Sequence, residues 1–188
     1  MDIDLTKKII TVFGLNLSGK SHFVKHAIIP KYRCLVVDPN AEYDSDQADV
    51  YRPKANSYPA IARENEKFLE SFVKPNKGSW DLLIFDEADD IFPNGKPLFS
   101  MMANLKGKYR HDKWGNLGLV FICRRPAQLF TDFPSLSHYI FTFGNKGLPD
   151  VSRLNAESQG LGDEARLLAN YEYILVNPNR SFERMPPI

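Results

Sequence analysis

The sequence predicts an α/β fold with a largely parallel sheet, and two observations carry the prediction. Four short runs, IITVF, CLVV, LLIF and LGLVFI, are apolar at nearly every position, as strands are when helices cover both faces of their sheet. Between them lie segments whose apolar residues recur at helical spacing. Strands that alternate with helices build parallel sheets through crossover connections.

The elements follow in order. Ile9–Phe13 is the first strand. A helix over 20–29 is stopped by Pro30, which has no backbone N–H to donate. Cys34–Val37 is the second strand, closed by Asp38-Pro39, and a loop runs from there to about Asn56. Apolar residues at 58, 61, 62, 68, 69, 72 and 73 make 58–73 an amphipathic helix laid on the sheet. Leu82–Phe85 is the third strand, a helix covers 97–108, and strands follow at 117–123 and 138–143. A polar helix over 163–170 precedes a strand at 171–176. Asn177-Pro178-Asn179 then turns the chain into an antiparallel return through 181–185.

At 188 residues the chain suits one domain spanning 1–188, and its 43% hydrophobic and 25% charged residues are in the ordinary globular range. No apolar run approaches the about 20 residues of a membrane helix, so no transmembrane segment is expected. The N-terminus lacks the order of a signal peptide. Cys34 and Cys123 lie far apart without C-x-x-C spacing and read as reduced core residues of a cytosolic protein. The formal net charge is +1, but its distribution is uneven. Five acids and no Lys or Arg fall between Asp38 and Asp49, whereas seven Lys or Arg and one acid fall between Lys96 and Arg125. Such separation can present one basic face, or simply a solvated surface.

Gly14-Leu-Asn-Leu-Ser-Gly19-Lys20-Ser21 matches G-x-x-x-x-G-K-[ST] at every fixed position, between a buried strand and a helix. In such a loop, backbone N–H groups and a helix N-terminus face phosphate oxygens. Lys20 would reach the outer phosphates and Ser21 would ligate Mg²⁺. Gly14, Asn16, Ser18, Gly19, Lys20, Ser21 and His22 are the candidate nucleotide contacts. His22 and His26 stand at i, i+4, but HFVKH lacks the Glu of H-E-x-x-H, so they read as exposed or packing residues.

The strand 82–85 delivers Asp86-Glu87 at its C-terminal end, where open α/β sheets bind ligands. Asp86 would hold Mg²⁺ with Ser21, and Glu87 would polarise a water for attack on the γ-phosphate of ATP. A kinase must exclude that water, so the Asp-Glu pair reads as hydrolytic.

One whole strand, CLVV, separates the phosphate loop from the Asp-Glu strand in the chain. With Glu87, this order resembles the RecA-like division of phosphate-loop NTPases. The stretch Asp38-Pro39-Asn-Ala-Glu42-Tyr43 resembles the D-P-x-x-E-Y stretch of the FtsK–HerA superfamily of DNA-pumping ATPases. Tyr109-Arg110-His111 before the strand GLVFIC is similar to the R-H step of viral genome-packaging ATPases in that superfamily. The resemblance covers 9–143, with weaker echoes near 171–176.

The resemblance implies a RecA-like phosphate-loop fold, ATP and Mg²⁺ as cofactors, and a hydrolytic site of Lys20, Ser21, Asp86 and Glu87. Arg124 stands where relatives usually carry a Gln sensor and would read the γ-phosphate. Arg110, or secondarily Arg125, would be an arginine finger donated to a neighbouring subunit. Lys106, Lys108 and Lys113 are candidates to face DNA phosphates. The implied partners are double-stranded DNA, further copies in a hexameric ring, and a viral capsid or its packaging vertex. The implied location is host cytoplasm or that vertex. A winged-helix tail, a membrane anchor and a long N-terminal domain, common in cellular members, are not expected. The alternatives are a plasmid, conjugation or phage-export ATPase, a nucleotide-dependent switch that moves nothing, and a kinase.

Overall fold

A computed structural model of the chain describes residues 3–187, with the Lys113 side chain outside the described parts. The first two apolar runs are β1 (Ile9–Phe13) and β2 (Cys34–Val37), both buried along their whole length. A short β3 (Asp49–Tyr51) lies where the sequence reads as loop, because three half-exposed residues carry no periodicity. β4 (Leu82–Phe85) and β5 (Gly118–Cys123) are fully buried, and β6 (Tyr139–Thr142), β7 (Tyr173–Val176) and β8 (Phe182–Met185) follow.

One sheet joins all eight strands in the order β3-β2-β4-β5-β1-β6-β7-β8. The first six in that order pair in parallel, and β7 and β8 are antiparallel additions. The α/β class, the parallel centre and the antiparallel C-terminal strands are therefore as the sequence predicts.

The helices are less regular than the sequence implies. α1 (Lys20–Phe23) widens into a π turn over Val24–Ile28 and ends in a 3₁₀ turn, Ile29–Lys31, that takes in Pro30. α2 (Tyr58–Phe68) likewise passes into a π turn over Leu69–Val73. α3 (Ala88–Ile91), α4 (Ser100–Lys108) and α5 (Asp132–Leu136) precede β6.

The polar helix expected over 163–170 is instead two, α6 (Leu148–Glu157) and α7 (Leu161–Ala165), divided at Gly160 with φ 82°. The strand expected from 171 starts two residues later. Tyr171 has φ 68°, a left-handed conformation outside the β region.

Alternate residues of the central strands feed two cores. Phe13, Val37, Phe85 and Phe121 face α2, α4 and α5 with Phe68, Leu105 and Phe133. Ile10, Val12, Val36, Ile84 and Ile122 face α1 with Phe23 and Val24. Burial on both faces explains the continuous apolar runs.

Register aligns the strand ends that matter. Phe13 pairs with Cys123, Phe85 with Phe121, and Val37 with Phe85. The residues that follow, from Gly14, Arg124, Asp86 and Asp38, therefore leave the same carboxyl edge side by side.

Candidate nucleotide site at the carboxyl edge

The loop after β1 is tied down from both sides. Gly14 N–H donates to Cys123 O at 3.2 Å and Leu15 N–H to Gly144 O at 3.2 Å. A Cβ on Gly14 would lie 2.5 Å from Ser18 Oγ, so any larger residue would fill the cradle. Gly19 has φ 111°, which L side chains rarely adopt, and opens α1. Ser18 is buried and its Oγ has no hydrogen-bond partner among the described residues. A buried orphan hydroxyl costs free energy until it is paired. Phosphate oxygens are suitable acceptors, so the cradle fits a nucleotide's phosphates.

Lys20 is buried, and its Nζ donates to Leu15 O at 3.1 Å. Burial pulls its pKa down, against the opposing pull of Glu87 and Asp86. The ammonium thus stands between the loop and the two acids of β4.

Asp86 is buried and its pKa is pushed up to about 7, first by burial and then by the nearby charges of Glu87 and Glu42. Its Oδ1 accepts the Glu87 N–H at 2.9 Å. Glu87 itself has φ 49°, an uncommon left-handed conformation for a non-glycine residue. Its Oε1 accepts from Asn40 Nδ2 at 3.0 Å, and its Oε2 lies 2.6 Å from Arg124 Nε. The latter contact is ionic, since neither atom makes an aligned hydrogen bond. Arg124 also reaches Asp90 Oδ2 at 3.0 Å. Burial raises the Glu87 pKa, while the Arg124 charge opposes that rise.

The stretch after β2 forms the third wall. Asp38 is fully buried and accepts the backbone N–H groups of Glu42 and Tyr43, each at 3.0 Å. This turn sends Asn40 to Glu87 and sets Glu42 Oε2 2.9 Å from Ser21 Oγ, which donates to it. The Tyr43 hydroxyl is buried, and burial beside Asp86 keeps it protonated.

Ser21, Asp86 and Glu42 offer only oxygen donors, the set that a hard cation such as Mg²⁺ prefers. The raised Asp86 pKa marks a buried cluster short of positive charge, so these residues fit a divalent ion. Among the described residues, no group of three or more His, Cys, Asp or Glu could hold a metal by itself. Magnesium there would depend on nucleotide oxygens to complete its shell, as it commonly does.

The other candidate residues scatter. Arg110 follows α4, its guanidinium 5.5 Å over the adjoining Tyr109 ring, and its charge bears on His138. His138 Nδ1 accepts the Ile9 N–H at the start of β1, so Arg110 stands at the sheet end opposite its own phosphate loop. Arg125 pairs with the buried Asp150 at 2.7 Å. Lys106 is bonded to Asp132, whereas Lys108 is exposed. His22 and His26 pack ring to ring at 4.2 Å, and His22 lies 5.9 Å from the Tyr171 ring, edge-on.

Asn16, Gly19, Lys20, Ser21, His22, Asp86, Glu87 and Arg124 do line one cleft, joined by Asn40, Glu42 and Tyr171. Asn40 and Glu42 sit inside the quoted DPNAEY stretch, which the sequence reads only as a family signature. Tyr171 carries no local signal, because it reaches the loop from the far end of the chain.

A phosphate loop after β1, an acidic pair after β4, and β5 inserted between those strands define the fold of phosphate-loop NTPases. Among solved structures, the chain is similar to the genome packaging NTPase B204 from Sulfolobus turreted icosahedral virus 2 in complex with AMPPCP. The TM-score is 0.74 at 17% identity, over 99% of this chain and 100% of that one. B204 described as the DNA-packaging ATPase of Sulfolobus turreted icosahedral virus scores 0.73 at 18% identity, over 98% and 100%. The cytoplasmic domain of the type VII secretion ATPase EccC from Thermomonospora curvata scores 0.56 at 14% identity, over 98% of this chain and 24% of that one. At these identities the likeness establishes the fold. No family model and no curated protein matches the sequence. Among the described residues, no helix is long and apolar enough to cross a membrane.

Proposed function

We propose that this chain is a single-domain, ATP-hydrolysing motor of the FtsK–HerA superfamily that drives double-stranded DNA into a preformed viral capsid. The observation that carries hydrolysis is the placing of Glu87. Its carboxylate lines one cleft with Lys20 and Asp86 and is in contact with Arg124. The fold likeness to a DNA-packaging ATPase supports the choice of cargo.

In this reading the backbone of 14–19, the Ser18 hydroxyl and Lys20 hold the phosphates, while Ser21 and Asp86 hold Mg²⁺. That ion, when bound, neutralises charge on the phosphate oxygens. Glu87 orients and polarises the attacking water. Arg124, which pairs with Glu87 here, is positioned to turn toward the γ-phosphate. Arg110, at the wrong end of its own sheet, acts on a neighbouring subunit in a homo-oligomeric ring, a hexamer. Such an arginine contributes about 10³–10⁵ in rate where it has been measured. The exposed Lys108 faces DNA, and the ring works at the packaging vertex of the virion or in host cytoplasm.

The test is the ATPase rate with and without double-stranded DNA, alongside molar mass in solution with and without nucleotide. Stimulation by DNA and a nucleotide-dependent oligomer are expected. A monomer whose hydrolysis ignores DNA under every condition would sink the motor reading. The weaker fold likeness to a type VII secretion ATPase, over 24% of that chain, favours a secretion ATPase as the second reading; DNA-independent turnover by a ring would select it.

A further inference from the structure

We propose that Tyr171 is the platform on which the nucleobase stacks, with His22 at its edge, so that the cleft takes a nucleoside triphosphate in preference to a bare polyphosphate. The proposal rests on the nucleotide-site reading above and extends it to the base.

The cleft has a direction. In the proposed reading, Glu87 and Arg124, which line this cleft, mark the end where the terminal phosphate reacts, and Lys20 and Ser21 mark the middle. A triphosphate laid along this line leaves the loop past Gly19 and His22. Tyr171 lines the cleft there, with Leu17 of the loop as its other apolar side chain.

Three observations show that the ring is held in place against the loop. The Tyr171 backbone N–H donates to Ser18 O at 3.1 Å, tying the two segments together. A Cβ on Gly19 would lie 2.9 Å from Tyr171 Cδ1, so the ring rests on the phosphate loop itself. Tyr171 also adopts φ 68°. Left-handed conformations in non-glycine residues persist where the surroundings over-determine them, and they cluster at ligand-binding sites.

Nothing in the core requires this ring. It is 46% exposed, while Tyr173 two residues on fills the core beside Phe23 and Phe143. His22 meets it edge-on at an interplanar angle of 80° and is braced from behind by His26. An exposed aromatic face beside a phosphate cradle offers stacking to a base, whose π-face needs no hydrogen-bond partner.

The test compares ATP with inorganic tripolyphosphate, both with Mg²⁺, by calorimetric titration of the full chain. Tyr171→Ala is expected to weaken ATP binding about 10-fold to 100-fold, the range of one lost base stack, and to leave tripolyphosphate binding unchanged. Tyr171→Trp is expected to restore ATP affinity, and the new indole to be quenched by ATP but not by tripolyphosphate. Equal weakening of both ligands in Tyr171→Ala would overturn the proposal, leaving Tyr171 as a prop for the loop. Unchanged ATP affinity in that variant would overturn it as well. Failure of the unmodified protein to bind either ligand would instead overturn the phosphate-loop reading beneath it.

Discussion

Arg124 holds Glu87 by an ionic contact of 2.6 Å between Nε and Oε2, while Asn40 holds the other carboxylate oxygen at 3.0 Å. The arginine follows β5 and the glutamate follows β4, so the pair exists because β5 lies between β4 and β1. It ties the residue that would polarise water to the residue that would sense the terminal phosphate.

That contact has a consequence for pH dependence. Burial raises the Glu87 pKa, and the Arg124 charge is the largest influence opposing the rise. Arg124→Ala removes the opposing influence, so the Glu87 pKa climbs further. Because a water-polarising carboxylate must be ionised, the acid limb of the kcat/KM profile shifts to higher pH. The rate lost near neutrality is partly regained at higher pH. A pH–rate profile checks this, and an unmoved acid limb would show that Arg124 does not act through Glu87.

Asp38 organises the wall that carries Asn40 and Glu42. Its fully buried carboxylate accepts two backbone N–H groups, and Arg52 Nε lies 3.8 Å away. Asp38→Ala leaves both N–H groups unpaired and is expected to cost about 2–4 kcal/mol of stability. It should also free Glu42 from Ser21, weakening Mn²⁺ binding in the presence of nucleotide. Urea unfolding and Mn²⁺ titration by electron paramagnetic resonance read the two effects separately. Asp38→Asn, which keeps one acceptor, should fall between.

Action of Arg110 on a neighbour predicts complementation. Arg110→Ala and Glu87→Gln subunits, each inactive alone, should regain partial ATPase activity when mixed, because each supplies what the other lacks. Glu87→Gln alone should still bind ATP, with turnover down at least about 100-fold. Full activity of Arg110→Ala alone would place the finger elsewhere.

His138 makes stability fall on mild acidification. Its Nδ1 accepts the Ile9 N–H at 3.2 Å, which requires the neutral ring, and burial together with Lys8 and Arg110 lowers its pKa below 6.5. Below pH about 6.5 the unfolded chain therefore binds more protons than the folded one, so folding weakens as pH drops toward the lowered value. Asp86, raised to about 7, works the other way over the same range, so the His138 share is read by difference: from pH 7.5 to 5 the denaturation midpoint of the unmodified chain should fall relative to that of His138→Gln.

Much of the site is legible in the chain because its chemistry is local. Gly14 to Ser21 lie on one turn between a strand and a helix, and Asp86-Glu87 end a single apolar run, so spacing alone marks both. Asn40 and Glu42 were visible as residues but not as contacts, since their aim depends on a turn closed by Asp38. The 144–170 segment, which has no chemical reading in sequence, supplies Asp150 as the partner of Arg125 and leads the chain to Tyr171.

The α/β class, the parallel runs, the phosphate loop and the acidic pair can be read from the chain alone. Each is written in near neighbours, through burial on both faces of a strand or through the steric needs of one loop. Strand order, and with it which residues meet, is set by long-range packing. Placing β5 between β1 and β4 brings Arg124 to Glu87, and the antiparallel addition of β7 brings Tyr171 onto Gly19. Arg110, similar in sequence appeal to Arg124, is left at the far end of the sheet. Such choices depend on how covered sheet faces and crossovers pack over long separations, which no local pattern records.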